Sequence, residues 1–144
     1  MQRFETYLKK NRAWLLEDAP RRKDMRIFEA VFHFNLYRYI CDFLGIKKAR
    51  VWPEFPTGNG KIDILIKHKN RIYALEVKSY TDAIGYNEAL EQAACYGKHL
   101  ELSKIALVFF VEYIDDANRK KYEKEFVDEA TGVRVTPMFV ATEN

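Results

Sequence analysis

The sequence is poor in cysteine and has no long apolar run. It holds only Cys41 and Cys95, and their spacing matches neither a disulfide framework nor a metal site. None of the three histidines has the spacing typical of a zinc site. No apolar run approaches the roughly 18 residues that a membrane span needs, and residues 1–14 lack the apolar core of a signal peptide. We therefore expect a cytoplasmic protein with no structural zinc and no membrane association.

Positively charged residues outnumber negatively charged residues only slightly. The formal net charge is +3, with 31% charged and 48% hydrophobic residues, a composition that argues against disorder. A mildly basic chain permits nucleic-acid binding without demonstrating it. The length of 144 residues suits one core. We expect a single domain over 1–144, with 1–22 as an N-terminal helical extension.

Hydrophobic spacing and turn signals predict an α/β protein. After a short helix at 2–10, Asp24 is a favourable N-cap for a long helix that Gly45 ends. The dense turn signal at 56–60 separates the first two strands. The expected order is helix, three strands, helix, strand, helix, strand, in a mixed central sheet flanked by helices. The predicted bounds are 24–44, 49–55, 61–68, 71–79, 85–100, 104–113, 115–130 and 133–140.

The second and third strands are predicted to form an antiparallel hairpin around the two-residue loop Lys69-Asn70. Side chains alternate between the two faces of a strand, so this loop places six apolar residues on one face. The expected pairs are Ile62 with Val77, Ile64 with Leu75, and Ile66 with Tyr73.

The same register places Asp63 directly opposite Glu76 on the other face, with Lys78 beside them. Directly opposed residues have Cβ atoms about 4.5–5.5 Å apart and like charges there repel. A hard divalent cation, Mg²⁺ or Mn²⁺, would compensate the two carboxylates. The alternative is a solvated face on which Lys78 and Lys61 relieve the Asp–Glu pair.

These strands resemble the PD-(D/E)XK nuclease superfamily, whose pattern is an acid on one strand and Asp/Glu-x-Lys on the next. The matching residues are Gly60-Lys61-Ile62-Asp63 and Ala74-Leu75-Glu76-Val77-Lys78. The resemblance implies a restriction-endonuclease-like core, helix, three strands, helix, strand, over residues 24–113. It also implies a divalent-metal-dependent phosphodiesterase acting on DNA.

Two further segments carry the resemblance. Gln92-Ala93-Ala94-Cys95-Tyr96 is similar to the Gln-x-x-x-Tyr motif of the RecB-like branch, and Gln92 and Tyr96 share one helical face. The alternative is an ordinary amphipathic helix with its polar residues in water. The stretches 55–65 and 89–92 resemble nuclease-like domains at the C-terminal end of certain AAA-type ATPases, although this chain has no phosphate-binding loop.

The resemblance implies a role for each candidate. Asp63 and Glu76 would be metal ligands with the Val77 carbonyl as a third, and Lys78 would orient the attacking water or offset charge on the phosphate. A further carboxylate would be Glu29 or Glu54. The resemblance favours Glu29, although His33, one turn on, is equally a simple ion-pair partner for it.

Substrate contacts and partners complete the expectations. Gln92 and Tyr96 would position the substrate. Basic residues at the start of the long helix would hold DNA phosphates, or form a solvated connector. A homodimer and an AAA-type ATPase module stay open as partners. The competing function is a nuclease-like binding or regulatory module without activity. The basic residues are Arg21, Arg22, Lys23 and Arg26.

Overall fold

The computed structural model describes residues 1–45, 48–58 and 60–143. In this part of the chain six strands form one sheet in the order β1-β2-β3-β4-β6-β5. None of its helices is long and apolar enough to cross a membrane. The helices are α1 (Gln2–Lys10), α2 (Arg12–Leu16), α3 (Glu29–Leu44), α4 (Ala83–His99) and α5 (Asp116–Tyr122). The strands are β1 (Arg50–Pro56), β2 (Lys61–His68), β3 (Arg71–Ser79), β4 (Lys104–Val111), β5 (Phe126–Val127) and β6 (Arg134–Ala141).

The sheet is mixed. Strands β1, β2 and β3 are antiparallel neighbours, whereas β4 runs parallel to β3 and β6 runs parallel to β4. Helix α4 connects β3 to β4, as a parallel connection requires. This topology confirms the predicted mixed α/β class and the predicted order of elements from α3 to β4. The pairs Ile64↔Leu75, Ile66↔Tyr73 and His68↔Arg71 confirm the hairpin and its two-residue loop.

Both faces of the sheet are covered by helices. On one face, small and apolar residues of α4, including Ala89, Ala93 and Ala94, pack against Leu107 and Phe109. On the other face, α1 and α3 pack against Val108 and Phe110. Strand β4 is therefore buried on both sides, which its continuous apolar sequence predicts. We call these the α4 face and the α3 face.

The start of the long helix differs from the prediction. Helix α3 begins at Glu29, not at Asp24, because residues 20–28 fold back on themselves as a tight loop. Arg21 forms an isolated bridge with Ile27, and the Phe28 N–H donates to the Pro20 carbonyl. The Asp24 side chain accepts from the Arg26 N–H inside this loop and caps no helix.

The region after β4 also differs. Helix α5 ends at Tyr122 rather than at residue 130, and the short strand β5, which was not predicted, pairs with β6. Asp128 explains the missing helix, because its carboxylate accepts from the Thr131 N–H and hydroxyl and so closes a turn. The remaining predicted bounds agree within two residues. The predicted turn at 56–60 includes Asn59, which lies outside the described residues.

Candidate active site

Strand β2 loses its regular pairing at Asp63. On one side, pairing with β1 passes from Pro53↔Ile64 to Phe55↔Ile62 without Asp63. The intervening residue of β1, Glu54, has φ 47, a left-handed conformation that is uncommon outside glycine. On the other side, pairing with β3 stops at Ile64↔Leu75. The predicted backbone pairs of Ile62 with Val77 and of Asp63 with Glu76 are therefore absent.

This break reverses the alternation of β2. Ile64 packs on the α3 face with Val77, but Ile62 packs on the α4 face. The prediction that Ile62 and Ile64 share a face was wrong, because it assumed regular backbone through Asp63. What the break provides is a position in mid-strand where side-chain groups replace the missing ladder bonds.

Asp63 is held by two such hydrogen bonds. Its Oδ2 accepts from the Val77 N–H at 2.7 Å, so the carboxylate bridges β2 and β3 where the backbone no longer does. Its carbonyl lies 2.9 Å from His33 Nε2, which must donate because a carbonyl only accepts. A pairing of His33 with Glu29 was one of the two alternatives that the sequence left open, and the structure instead places His33 on the Asp63 carbonyl.

Glu76 is a buried carboxylate beside Asp63, with only 3% of its surface exposed. Its Oε1 lies 3.0 Å from Lys78 Nζ, whereas its buried Oε2 has no hydrogen-bond partner among the described residues. Burial raises the pKa of the Glu76 carboxyl to about 7, and the Asp63 charge adds to the rise. Lys78 and the Asp63 backbone offset it only in part.

Lys78 lies among three carboxylates. Burial lowers the pKa of its ammonium, but the charge and hydrogen bond of Glu76, then the charges of Glu29 and Asp63, reverse this and raise the pKa above its usual value. The Glu29 Oε2 also accepts from the Ser79 N–H at 2.6 Å, which ties the first turn of α3 to the end of β3. Glu29 thus joins the cluster.

Glu54 lies apart from this cluster. It forms an ion pair with Lys61 at 3.5 Å, and both side chains are more than three-fifths exposed. Glu29 and Glu54 were the two candidates for a further carboxylate of the site. Of these two, only Glu29 raises the pKa of Lys78. The solvated-face alternative required both Lys78 and Lys61 to relieve the pair of Asp63 and Glu76. Only Lys78 does so, by pairing with Glu76, because Lys61 pairs with Glu54.

Helix α4 brings its two polar candidates to the same region. The Gln92 Nε2 donates to the Tyr96 hydroxyl at 3.1 Å, so the two side chains share one helical face, as their four-residue spacing predicted. Lys78 and Gln92 line one open cavity of about 380 Å³ together with Glu88. Tyr96 lies over Gly60, where an added Cβ would come within 3.0 Å of the hydroxyl oxygen. An added Cβ would require the Tyr96 ring to shift by a few tenths of an ångström, so the close approach favours glycine at this turn.

The predicted phosphate-binding residues lie in the exposed loop before α3. Arg21 and Arg26 line a second cavity, of about 360 Å³, together with Arg12 and Ser79. Arg22 and Lys23 are exposed but do not line it. Sequence reasoning missed Arg12, since only the fold brings α2 beside this loop.

The arrangement is an acidic pair with a lysine, assembled around an interrupted strand. Across residues 1–45, 48–58 and 60–143, no group of three or more His, Cys, Asp or Glu side chains forms a ready-made metal site. The residues nevertheless fit a hard cation in their chemistry. Two carboxylates repel each other, and one buried oxygen, Oε2 of Glu76, is unsatisfied; oxygen ligands of this kind suit Mg²⁺ or Mn²⁺.

Comparisons with known proteins add one distant likeness. No protein-family model and no curated protein matches the chain. The fold is similar to the small subunit of a heterodimeric restriction endonuclease, at 16% sequence identity and a TM-score of 0.48. The match covers 97% of this chain and 73% of that subunit.

Proposed function

We propose that this protein is a divalent-metal-dependent nuclease that hydrolyses phosphodiester bonds of DNA. The observation that carries the proposal is the buried Glu76, which has an unsatisfied oxygen, a neighbouring carboxylate and a lysine at 3.0 Å. A fold does not keep such a group for stability, because unpaired buried polar atoms and adjacent like charges both cost free energy. Strongly perturbed carboxylates are typical of functional sites.

Asp63 and Glu76 would hold Mg²⁺ or Mn²⁺, with the Val77 carbonyl as a further oxygen ligand. When bound, the cation would polarise a phosphate oxygen and lower the pKa of a water molecule. Asp63 is suited to this role because its Oδ2 is already fixed by the Val77 N–H and its backbone by His33. The carboxylate is therefore held in place before any ligand arrives.

The other residues of the chain supply positioning and charge. The ammonium of Lys78 stays protonated among its carboxylates and would offset negative charge on the attacked phosphate. Glu29 fixes the Ser79 N–H and so holds the end of β3 beside the centre. Gln92 faces the same cavity as Lys78 and would orient the substrate there.

A second function, a nuclease-like module that binds nucleic acid without cleaving it, has its own observation. Lys78 already neutralises Glu76 at 3.0 Å, and a structural ion pair needs no metal. On that reading Asp63 is a strand-bridging acceptor for the Val77 N–H and nothing more.

A cleavage assay separates the two functions. Single-stranded, double-stranded and branched DNA are incubated with Mg²⁺ or Mn²⁺, and Lys78→Ala is compared with wild type. The matched control is Lys104→Ala, which also removes a strand lysine paired with a glutamate, at 2.9 Å from Glu125. We expect cleavage by wild type and the control, and loss of at least about a hundredfold in Lys78→Ala. No cleavage by any of the three proteins would favour the binding module, whereas equal cleavage by all three would show that Lys78 takes no part in the reaction.

A further inference from the structure

Basic side chains gather at the turn end of the β2–β3 hairpin, away from the carboxylates. The group consists of Lys48, Arg50, Lys67, Lys69 and Arg71, all of which are exposed. We call it the basic hairpin end. It was not among the residues that the sequence indicated as DNA contacts.

Like charges oppose one another directly in this group. Arg50 pairs with Lys67 across β1 and β2. Like charges in directly opposed positions destabilise a sheet. Within the described part of the chain, none of the five basic residues forms an ion pair with a carboxylate. The residues that the structure describes therefore do not relieve the repulsion.

Two of these lysines also occupy unfavourable backbone positions. Lys69 has φ 54 at the first position of the two-residue loop, and Lys48 has φ 52. The left-handed region favours glycine or asparagine, and glycine is the usual residue at such a loop position. Lysine is thus present at both positions against the local preference, and departures of this kind concentrate at functional surfaces.

We propose that the basic hairpin end binds the phosphate backbone of duplex DNA whose scissile bond lies at the carboxylate centre. This inference rests on the proposed nuclease function and adds the substrate class. A polyanion is the partner that relieves this repulsion, because each contacted phosphate neutralises a cation and releases counterions.

The geometry of β2 favours a duplex. Lys67 lies four residues beyond Asp63 on the same strand, which is about 14 Å at the rise of an extended strand. That distance equals about four base pairs of duplex rise. Leu65 and Ala74 both pack on the α4 face, so by alternation Lys67 and Glu76 also lie on that face. Two fixed contacts on one rigid sheet suit a stiff duplex better than a flexible strand or a fluid lipid surface.

Binding in EDTA tests the proposal without requiring catalysis. Arg50→Gln/Lys67→Gln removes one opposed pair, and Lys120→Gln/Lys124→Gln removes the same charge from exposed positions near the opposite edge of the sheet. The probe is a fluorescein-labelled DNA duplex of about 24 base pairs, titrated over a range of salt concentrations. The same titrations use the single strand, and flotation assays use vesicles containing anionic lipid.

We expect the hairpin variant to bind the duplex about tenfold more weakly at moderate salt. Its slope of log affinity against log salt should fall by about two, at about 0.9 per lost phosphate contact. The control variant should keep the wild-type slope. Because a repulsive pair has been removed, the melting temperature of the hairpin variant should not fall, which excludes unfolding as the cause.

Three results would overturn the inference: an unchanged slope in the hairpin variant, an equal change in the control, or a larger loss with the single strand or the vesicles than with the duplex. Cleavage measured in parallel keeps the two proposals apart. Cleavage by wild type with no effect of the hairpin variant refutes this inference alone. Loss of duplex binding by the hairpin variant, with no cleavage by wild type in Mg²⁺ or Mn²⁺, supports it and refutes only the nuclease function.

Discussion

Replacing Glu76 with glutamine tests whether the buried carboxylate is a liability to the metal-free fold. The pKa of its carboxyl rises from 4.5 to about 7 on folding, chiefly because the group is buried and next because Asp63 lies nearby. The folded state therefore binds a proton more tightly than the unfolded state. Between these two pKa values the stability of the protein falls as pH rises.

The size of the effect follows from the same two values. Each pKa unit corresponds to about 1.4 kcal/mol, so ionising Glu76 costs the fold about 3 kcal/mol, a loss that begins above pH 4.5 and is complete above about pH 8. The amide of Glu76→Gln cannot ionise and does not carry this cost. The pKa of about 7 already includes the ion pair with Lys78, which lowers it, so the loss of that pair is part of the same cost. We therefore expect a net gain of about 1–3 kcal/mol at pH 8.5, and near equality with wild type at pH 5.

Urea denaturation in EDTA at pH 5, 7 and 8.5 measures the difference. The matched control is Glu91→Gln, which removes the same charge from an exposed position on α4. The stability difference between Glu76→Gln and wild type should grow with pH, and the difference for the control should not. A Glu76→Gln protein that is less stable than wild type at pH 8.5 would refute the reasoning, because Glu76 would then be a stabilising ion-pair partner of Lys78.

Three further predictions concern neighbouring residues. Saturating Mg²⁺ should raise the melting temperature of wild type, because at a hundredfold excess over Kd the bound cation stabilises the fold by about 2.7 kcal/mol. In a thermal melt Asp63→Asn should lose most of that rise. An equal rise in the variant would place the cation elsewhere. Glu29→Gln weakens a charge-assisted bond to the Ser79 N–H and should cost about 1 kcal/mol in urea; a gain in stability would contradict the role assigned to this contact. Gly60→Ala places a Cβ 3.0 Å from the Tyr96 hydroxyl and should also cost about 1 kcal/mol, whereas an unchanged denaturation midpoint would show that the ring moves away freely.

Local patterns were sufficient to predict the hairpin. Lys69-Asn70 is too short a loop to allow more than one register, and the apolar residues agree with it, so Ile64↔Leu75 followed directly. The interruption at Asp63 did not follow, since Glu54 takes a left-handed conformation at a residue that carries no local signal for it. A glycine there would have indicated the irregularity.

Contacts between residues that are distant in sequence were the other feature that local patterns did not predict. The His33 bond to the Asp63 carbonyl joins residues 30 positions apart, and the Glu29 bond to Ser79 joins residues 50 apart. Both depend on where α3 crosses the sheet, and the loop at 20–28 displaced the start of that helix from its expected position. The family resemblance predicted that Glu29 belongs to the site, whereas its hydrogen bond with the Ser79 N–H could be identified only from the fold.

The parallel pairing of β3 with β4 bears on the order in which the protein folds. Strands β1 to β3 are joined by short connections, so we expect them to form early and β4 to dock beside β3 later, after α4 has formed. Glu76 lies next to Leu107 of β4, so we expect its carboxylate to stay hydrated until β4 docks. We therefore expect pH to act mainly on the unfolding rate and little on the folding rate. The repulsion between Asp63 and Glu76 in the folded protein would then not slow the formation of the β2–β3 hairpin.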